Sequence, residues 1–365
     1  MKFPVLLALL LTGGGIHAAE STLRVASVAA AAETFPDDDR SVIFSDGFDI
    51  PPDRNPGYAE YQRGDTKGFT HTPDGGLRGG GMTAVFEKGQ VEAGSLKVFF
   101  GRSPAGNRRL RKEEDFNEIH WRVYVKHEAG WEGNPAKLAR ATCLMSPEWK
   151  QGFIAHVWGG KDDCLCIDPA TGIVNSQPVT TKYNDFANLK WLGNRHGKVP
   201  IFRNPETGRW VCIESHIRLN SPDKKDGVFE LWVDGKLEAS RNDLDWHGAW
   251  KDYAINAVFL ENHWNDGSVK RQTRWFDHFV IRTQPIGPAV AERPMKIGRT
   301  LVAEGSAWEV EIAKDAEGKE IVWKSGKRDG ETMTVDGDLP VGATYWTRVR
   351  RSGEAEWSPW HSPFR

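Results

Sequence analysis

The sequence is poor in cysteine, in long apolar runs and in charge of a single sign. It holds 48 basic and 50 acidic residues among 365, a formal net charge of −2. No global basic field exists to attract nucleic acid, so we expect no nucleic-acid partner. No segment is long and apolar enough for a transmembrane helix, and we expect no membrane partner. Long helical periodicity is also absent.

The N-terminal letters "MKFPVLLALLLTGGGIHAAES" combine a lysine, a short apolar run and small residues. This order predicts a signal peptide over 1–18 and a secreted or periplasmic protein. Residues 19–40 are alanine-rich and then acidic, which indicates a linker, either a tether or a short helix.

Export would permit disulfides among the four cysteines, Cys143, Cys164, Cys166 and Cys212. A bridge from Cys143 to Cys164 or Cys166 is one expectation, although the sequence does not give the pairing. The spacing favours no zinc site, because no second close cysteine or histidine pair completes the usual ligand set.

Short alternating runs separated by glycine, asparagine, aspartate and proline fill residues 41–287, as in "EIHWRVYVK", "GFIAHVW" and "RWFDHFVIRT". This spacing predicts an all-β fold, a jelly-roll β-sandwich over 41–287. "GVFELWVDGKLEA" is the clearest hairpin, with Asp234-Gly235 as its turn.

A segment rich in proline and alanine, Thr283 to Met295, interrupts this pattern. Short strands then resume, and "LPVGATYWTRVRR" resembles the later strands of a fibronectin type III domain. We therefore expect a small fibronectin III-like β-sandwich over 288–365.

The outer faces of three predicted strands are unusually rich in histidine, arginine and aromatic residues. A solvated face typically carries threonine, lysine, glutamate and serine, and that simpler interpretation remains open for any one strand. If the strands share a sheet, the polar side chains form one surface of His120, Arg122, Tyr124, His156, His216 and Arg218.

The order of these segments resembles the concanavalin-like jelly-roll polysaccharide lyases, which include alginate and glucuronan lyases. The similarity covers about 41–287 and lies in "EIHWRVYVKHEAGW", "NPAKLARAT", "GFIAHVW", "GRWVCIESHIRLNSPDKKDGVFELWVDGKLEA" and "WFDHFVIRTQPIG". Two cleft strands of that family correspond to "NEIHWR", with Glu118 and Arg122, and to "FIAHVW", with His156. The family's tyrosine-bearing strand has no clear counterpart, because "FLENHWND" offers His263 but no tyrosine.

The resemblance implies β-elimination on an acidic, uronate-containing polysaccharide, by a monomer that requires no cofactor. A donor must neutralise the carboxylate, a base must remove the C5 proton and an acid must protonate the leaving oxygen. The predicted catalytic residues are His156, Tyr124, His120 and His216. The predicted substrate-binding residues are Arg122, Arg218, Glu118, Glu214, Lys137, Arg140, Tyr183, Trp158 and His263.

Three alternatives remain open at this stage. Glu113, Asp115 and Glu118 spell the Glu-x-Asp-x-x-Glu pattern of laminarinase-type glycoside hydrolases. A non-catalytic carbohydrate-binding protein could use the same fold. Finally, Asp46, Asp49 and Asp277 could hold a structural calcium ion, the competing interpretation being that Asp46 and Asp49 lie in an ordinary turn.

Overall fold

The computed structural model describes residues 35–36, 38–134, 137–204, 206–289, 307–329 and 345–360 in full. It describes the backbone alone for residues 23–27, 296–299, 332–334 and 361–364. No helix in these ranges is long and apolar enough to cross a membrane.

The described chain is built from β-strands, with a single 3-10 turn at Lys161–Asp163. In chain order the strands are β1 (Leu23–Ser27), β2 (Val42–Asp46), β3 (Glu60–Gln62), β4 (Phe69–Thr72), β5 (Gly81–Phe86), β6 (Glu92–Phe99), β7 (Glu118–His127), β8 (Lys137–Leu144), β9 (Gln151–Gly159), β10 (Leu165–Thr171), β11 (Ile173–Val174), β12 (Gln177–Pro178), β13 (Lys190–Trp191), β14 (Arg195–His196), β15 (Trp210–Arg218), β16 (Gly227–Val233), β17 (Lys236–Leu244), β18 (Ala257–His263), β19 (Gln272–Arg282), β20 (Lys296–Arg299), β21 (Trp308–Ala313), β22 (Ile321–Lys324), β23 (Thr332–Thr334), β24 (Tyr345–Arg351) and β25 (His361–Phe364).

Two eight-stranded antiparallel sheets form the main domain. Sheet I has the order β17-β16-β15-β7-β19-β5-β4, with β2 paired to β19. Sheet II has the order β13-β10-β9-β8-β18-β6-β3, with β14 paired to β10. The prediction of an all-β jelly-roll sandwich is confirmed.

The hydrophobic core lies between the two sheets and follows the period-two alternation of the sequence. Ile119, Trp121, Val123 and Val125 of β7 face inward and are fully buried. Phe153, Ala155 and Val157 of β9 face them from sheet II. The intervening polar residues of both strands are therefore placed on the outer faces of the two sheets.

The predicted hairpin is present: β16 and β17 pair with Val233 opposite Lys236. Asp234 and Gly235 both adopt positive φ, at 49° and 75°. This is the conformation that a two-residue turn requires, and an aspartate followed by a glycine supplies it at low cost.

The described strands beyond residue 289, together with β1, form two small antiparallel sheets, β22-β21-β24-β25 and β1-β20-β23. The likeness to a fibronectin type III domain stays a prediction. Strand β1 comes from the segment expected to be a tether or a short helix, and it pairs instead with β20. The linker over 19–40 stays a prediction.

All four cysteines are free and buried, so the predicted disulfide is wrong. The strand register gives the reason. Cys143 lies beside Phe153, which lies beside Thr171, whereas Cys166 is further along β10. Five residues of strand span roughly 17 Å, whereas a disulfide needs Cα atoms within about 7 Å.

Candidate active site

The predicted polar residues fall into two groups on opposite sheets. His120, Arg122 and Tyr124 lie on β7, and His216 and Arg218 lie on β15, both in sheet I. His156 lies on β9 of sheet II. The prediction of one surface holding all six residues is therefore wrong, because local alternation fixes the face of a strand but not the sheet that it joins.

Much of the sheet I group is engaged in structural contacts. Arg122 is fully buried and donates to the carbonyl oxygens of Gly287 and His278, at 3.0 and 3.3 Å. The hydroxyl of Tyr124 is also buried and accepts the amide of Ala289 at 2.9 Å. These side chains anchor the segment after β19 and do not line the cleft described below.

The other sheet I residues form a cluster of histidines and carboxylates. His120 contacts Glu214, and His216 contacts both Glu118 and Glu230. Arg218 donates instead to the carbonyl oxygen of Asp226 at 3.1 Å. The cluster is compact and self-paired, so it offers no open groove for a polymer.

The outer face of sheet II carries a cleft of about 560 Å³. Strands β3, β6, β8 and β18 form its floor, and loops after β8 and β12 form one wall. Its lining residues are Glu60, Gln62, Glu92, Ser95, Lys97, Lys137, Pro147, Glu148, Trp149, Tyr183, Asn184, Glu261 and His263. Three predicted substrate-binding residues, Lys137, Tyr183 and His263, therefore meet in one cavity.

A buried arginine lies beneath the tyrosine of this cleft. Arg140 is fully buried and donates to the carboxylate of Glu261 at 2.9 Å and to Asn184 at 3.1 Å. It also donates to the hydroxyl oxygen of Tyr183. Burial raises the pKa of Tyr183 to about 12, although the charge of Arg140 opposes that rise. The guanidinium is placed to stabilise a phenolate when the hydroxyl gives up its proton.

Two lysines supply positive charge at the floor. Lys97 pairs with Glu60 at 2.8 Å, and its ammonium lies 4.9 Å from the centre of the Trp149 ring. Burial lowers the pKa of Lys137, while the carboxylate of Glu261 opposes this. Both lysines reach the same cavity, where they could bind an anionic group.

The cleft also contains a histidine that is paired with a carboxylate. Nδ1 of His263 lies 2.9 Å from Glu92, and the imidazole is about a quarter exposed, at 27%. When Nδ1 carries the proton donated to Glu92, Nε2 keeps its lone pair. The pair therefore presents a basic nitrogen to the cleft.

His156 and Trp158 lie on the outer face of sheet II beside this cleft. His156 is directly opposite Arg140 across the β8–β9 pair. Its ring stacks on Trp158 at 4.3 Å, and Trp191 and Phe186 continue the row. Trp191 and Phe186 are 40% and 47% exposed. We call Trp158, Trp191 and Phe186 the aromatic platform, a surface type that stacks on sugar rings.

His156 itself is buried. Its Nδ1 lies 3.3 Å from the carbonyl oxygen of Asp168, and its Nε2 is a buried atom without a hydrogen-bond partner among the described residues. Burial, together with the charges of Arg140 and Lys137, holds the pKa of His156 well below its usual range. The buried ring is therefore not placed to touch a substrate.

The buried histidines predict a pH-dependent stability. Burial and then the charge of Arg274 also hold the pKa of His127 well below its usual range. A group with a lowered histidine pKa binds fewer protons when folded, so stability is lost as pH falls below about 6.5. We expect a loss of roughly 1.4 kcal/mol per pH unit for each such histidine.

The measurement is urea unfolding of the wild type and of His127→Gln between neutral pH and mildly acidic pH. The variant should lose less stability on acidification than the wild type. Equal slopes for the two proteins would contradict a neutral, buried His127.

The predicted calcium residues come partly together. Asp46 of β2 lies opposite Phe279 of β19, and burial raises its pKa, with the charge of Asp277 adding to the rise. The carboxylate oxygens of Asp277 accept hydrogen bonds from the backbone amides of Arg78 and His278, and the carboxylate of Asp46 accepts one from the amide of Phe48. Asp49 is exposed in the following turn. Two neighbouring buried carboxylates fit a hard cation, and the structural calcium stays a prediction.

Removal of calcium tests that prediction directly. We expect EDTA to lower the thermal midpoint of the purified protein and added Ca²⁺ to restore it. Identical midpoints with and without the chelator would contradict the calcium site and favour the interpretation that Asp46 and Asp49 lie in an ordinary turn.

The carboxylates of the hydrolase alternative do not converge on a cleft. Asp115 is bound to Arg102 at 2.6 Å, outside the strands. Glu118 points to the histidine cluster of sheet I, and Glu113 lies in an exposed turn. This triplet is not a glycosidase site.

Ten of the thirteen residues that line the cleft were missed by sequence reasoning, among them Lys97, Trp149, Glu92 and Glu261. Lys97 gave a signal, since it is a lone charge within the apolar run "GSLKVFF". Trp149 gave none, because its position depends on a positive φ of 65° in the loop after β8.

Comparison with known proteins gives similarities of fold at low identity. No protein-family model matches the chain, and no curated protein matches it. Among solved structures, it is similar to an alginate lyase from Chlorella virus, with 13% identity and a TM-score of 0.49 over 67% of this chain and 100% of that one.

Two further solved structures are similar to the chain. A marine alginate lyase from Aplysia kurodai is 13% identical, with a TM-score of 0.43 over 60% of this chain and 87% of that one. An endo-β-1,4-glucuronan lyase from the fungus Trichoderma reesei is 12% identical, with a TM-score of 0.41 over 67% and 96%. The identity of the active residues must come from the site itself.

Proposed function

We propose that the protein is a secreted polysaccharide lyase that cleaves a uronate-containing polysaccharide by β-elimination in the cleft of sheet II. One observation carries the proposal. The hydroxyl of Tyr183 accepts a hydrogen bond from the buried Arg140. Tyr183 lines a cavity that is also lined by two lysines and by the His263–Glu92 pair. These are the groups that β-elimination next to a carboxylate needs.

The lysines bind and neutralise the C6 carboxylate of the sugar. Lys137 is the better candidate, because Lys97 is already paired with Glu60. Neutralising the carboxylate withdraws charge from C5 and makes its proton more acidic. The aromatic platform holds neighbouring pyranose rings and extends the binding surface along sheet II.

The proton transfers are then divided between two side chains. Nε2 of His263 takes the C5 proton, and the electron pair forms the C4–C5 double bond as the C4–O bond breaks. The hydroxyl of Tyr183 protonates the leaving oxygen, and Arg140 stabilises the phenolate that remains. Solvent returns the proton from His263 to Tyr183.

A glycoside hydrolase is the second candidate, because four glutamates line the cleft: Glu60, Glu92, Glu148 and Glu261. Such an enzyme needs one carboxyl group that stays protonated near neutral pH. Three of these four are held by the side chains of Lys97, His263 and Arg140, so among the described residues no two of the four glutamates are free to act as a pair of catalytic carboxyl groups. The lyase uses these groups without requiring a protonated carboxyl.

The test is a screen of the purified protein against alginate, glucuronan and glycosaminoglycans. We expect new ultraviolet absorbance from an unsaturated product with at least one of them, in step with new reducing ends. Reducing ends without that absorbance would favour the hydrolase. Binding without any cleavage would leave a carbohydrate-binding protein.

A further inference from the structure

We propose that Glu118, His120 and His216 form a binding site for a divalent transition metal, best suited to Zn²⁺, on the outer face of sheet I. The three residues bring one ligand atom each to within 4.8 Å of one another. This site lies on the sheet opposite the cleft and does not depend on the proposed lyase activity.

The register of two neighbouring strands creates the site. Strands β7 and β15 pair so that His120 stands directly opposite His216, and Glu118 stands opposite Arg218. The two imidazole rings are parallel, with centres 4.2 Å apart and an interplanar angle of 2°. Both imidazoles therefore reach the same outer face, and each ring must turn out of this parallel stack to direct its in-plane Nε2 lone pair at a common ion.

Each imidazole has a carboxylate behind it. Nδ1 of His120 lies 3.4 Å from Glu214, and Nδ1 of His216 lies 2.9 Å from Glu230. Glu214 is itself held by the amides of Ile286 and Gly287. A carboxylate on Nδ1 fixes the tautomer that leaves Nε2 as the metal ligand, the arrangement found behind most metal-binding histidines.

Nε2 of His216 also lies 2.7 Å from the carboxylate of Glu118. Nε2 of His216 and the Glu118 carboxylate therefore already meet at one point, where a bound ion would replace their direct contact. Two nitrogens and one carboxylate oxygen are a ligand set that Zn²⁺ accepts, with its fourth position open to water. Imidazoles disfavour Ca²⁺ and Mg²⁺, which select oxygen.

Coordination requires both rings to rotate out of the stack and Glu118 to draw back from His216. Ligands at about 2.0–2.2 Å from zinc lie about 3.3–3.5 Å from one another in a tetrahedron. The side chain of Glu118 is 46% exposed and that of His216 is 13% exposed, so the carboxylate can move and the ion can enter from solvent. The sequence gave no zinc signal because Glu118 and His216 are separated by 98 positions.

Zinc binding to the full-length, untagged protein tests the site by calorimetry, with Co²⁺ absorption spectra as a second readout. We expect one ion per chain and a cobalt spectrum with four-coordinate, nitrogen-containing character. Glu118→Gln, at an exposed position that leaves the core untouched, and His216→Ala should weaken or abolish binding. Glu230→Gln should weaken it about 10- to 100-fold, because it removes only the carboxylate behind the ligand.

His263→Ala is the matched control, because it removes a histidine of a single histidine–glutamate pair elsewhere and should keep full zinc binding. The proposal is overturned if the wild type binds no zinc. It is equally overturned if Glu118→Gln and His216→Ala bind zinc as tightly as the wild type, or if the cobalt spectrum shows six oxygen ligands.

Discussion

Tyr183→Phe should lower the rate of cleavage by about 10²- to 10⁴-fold, the usual contribution of a positioned proton donor. The substitution removes the hydroxyl that accepts a hydrogen bond from Arg140 and keeps the ring, which packs edge-on to Trp149 at 5.4 Å. The loss should fall on kcat and leave KM nearly unchanged, since the sugar loses no binding contact.

Tyr61→Phe is the matched control for that experiment. Tyr61 lies on β3 between two cleft residues, but its hydroxyl donates to the carbonyl oxygen of Phe69, away from the cleft. This variant should keep the wild-type rate. A Tyr183→Phe enzyme with more than about a tenth of wild-type kcat would rule out Tyr183 as the proton donor, given the usual size of that effect.

Arg140→Leu should lower the free energy of unfolding by about 3–5 kcal/mol, the usual consequence of removing one partner of a buried ion pair. The guanidinium is fully buried, and Glu261 is its ion-pair partner at 2.9 Å with 10% of its side chain exposed. Without Arg140, the Glu261 carboxylate stays buried without its partner, and the Tyr183 hydroxyl loses a donor. Urea unfolding measures the loss.

The double variant Arg140→Leu/Glu261→Leu separates the effect of the unpaired charge from the effect of altered packing. Because it removes both charges, it should recover a large part of the stability lost in the single variant. If the single variant unfolds at the same urea concentration as the wild type, the pair is not a buried ion pair as described. If the double variant is the less stable of the two, packing rather than charge dominates this site.

The sequence was sufficient to assign the faces of strands and insufficient to assign their neighbours. Alternation in β7 and β9 placed Trp121 and Phe153 in the core and His120 and His156 outside it. Which sheet a strand joins depends on pairing between distant segments, and no local pattern encodes it. The predicted single surface was wrong for that reason.

The cleft shows the same limit. Lys137, Arg140 and His263 were predicted from strand positions and lie in or directly below it. Tyr183 comes from a loop, and its alignment over Arg140 depends on the course of that loop. The carboxylates behind these groups, such as Glu92, were missed because a pairing partner is set by the fold and not by local spacing.

The most direct test of the central claim is a crystal structure of Tyr183→Phe soaked with a uronate tetrasaccharide. The account predicts sugar rings in the cleft of sheet II, with a carboxylate bound by Lys137 and one ring against the aromatic platform. Sugar bound instead over His120 and His216 on sheet I, with the cleft of sheet II empty, would contradict it.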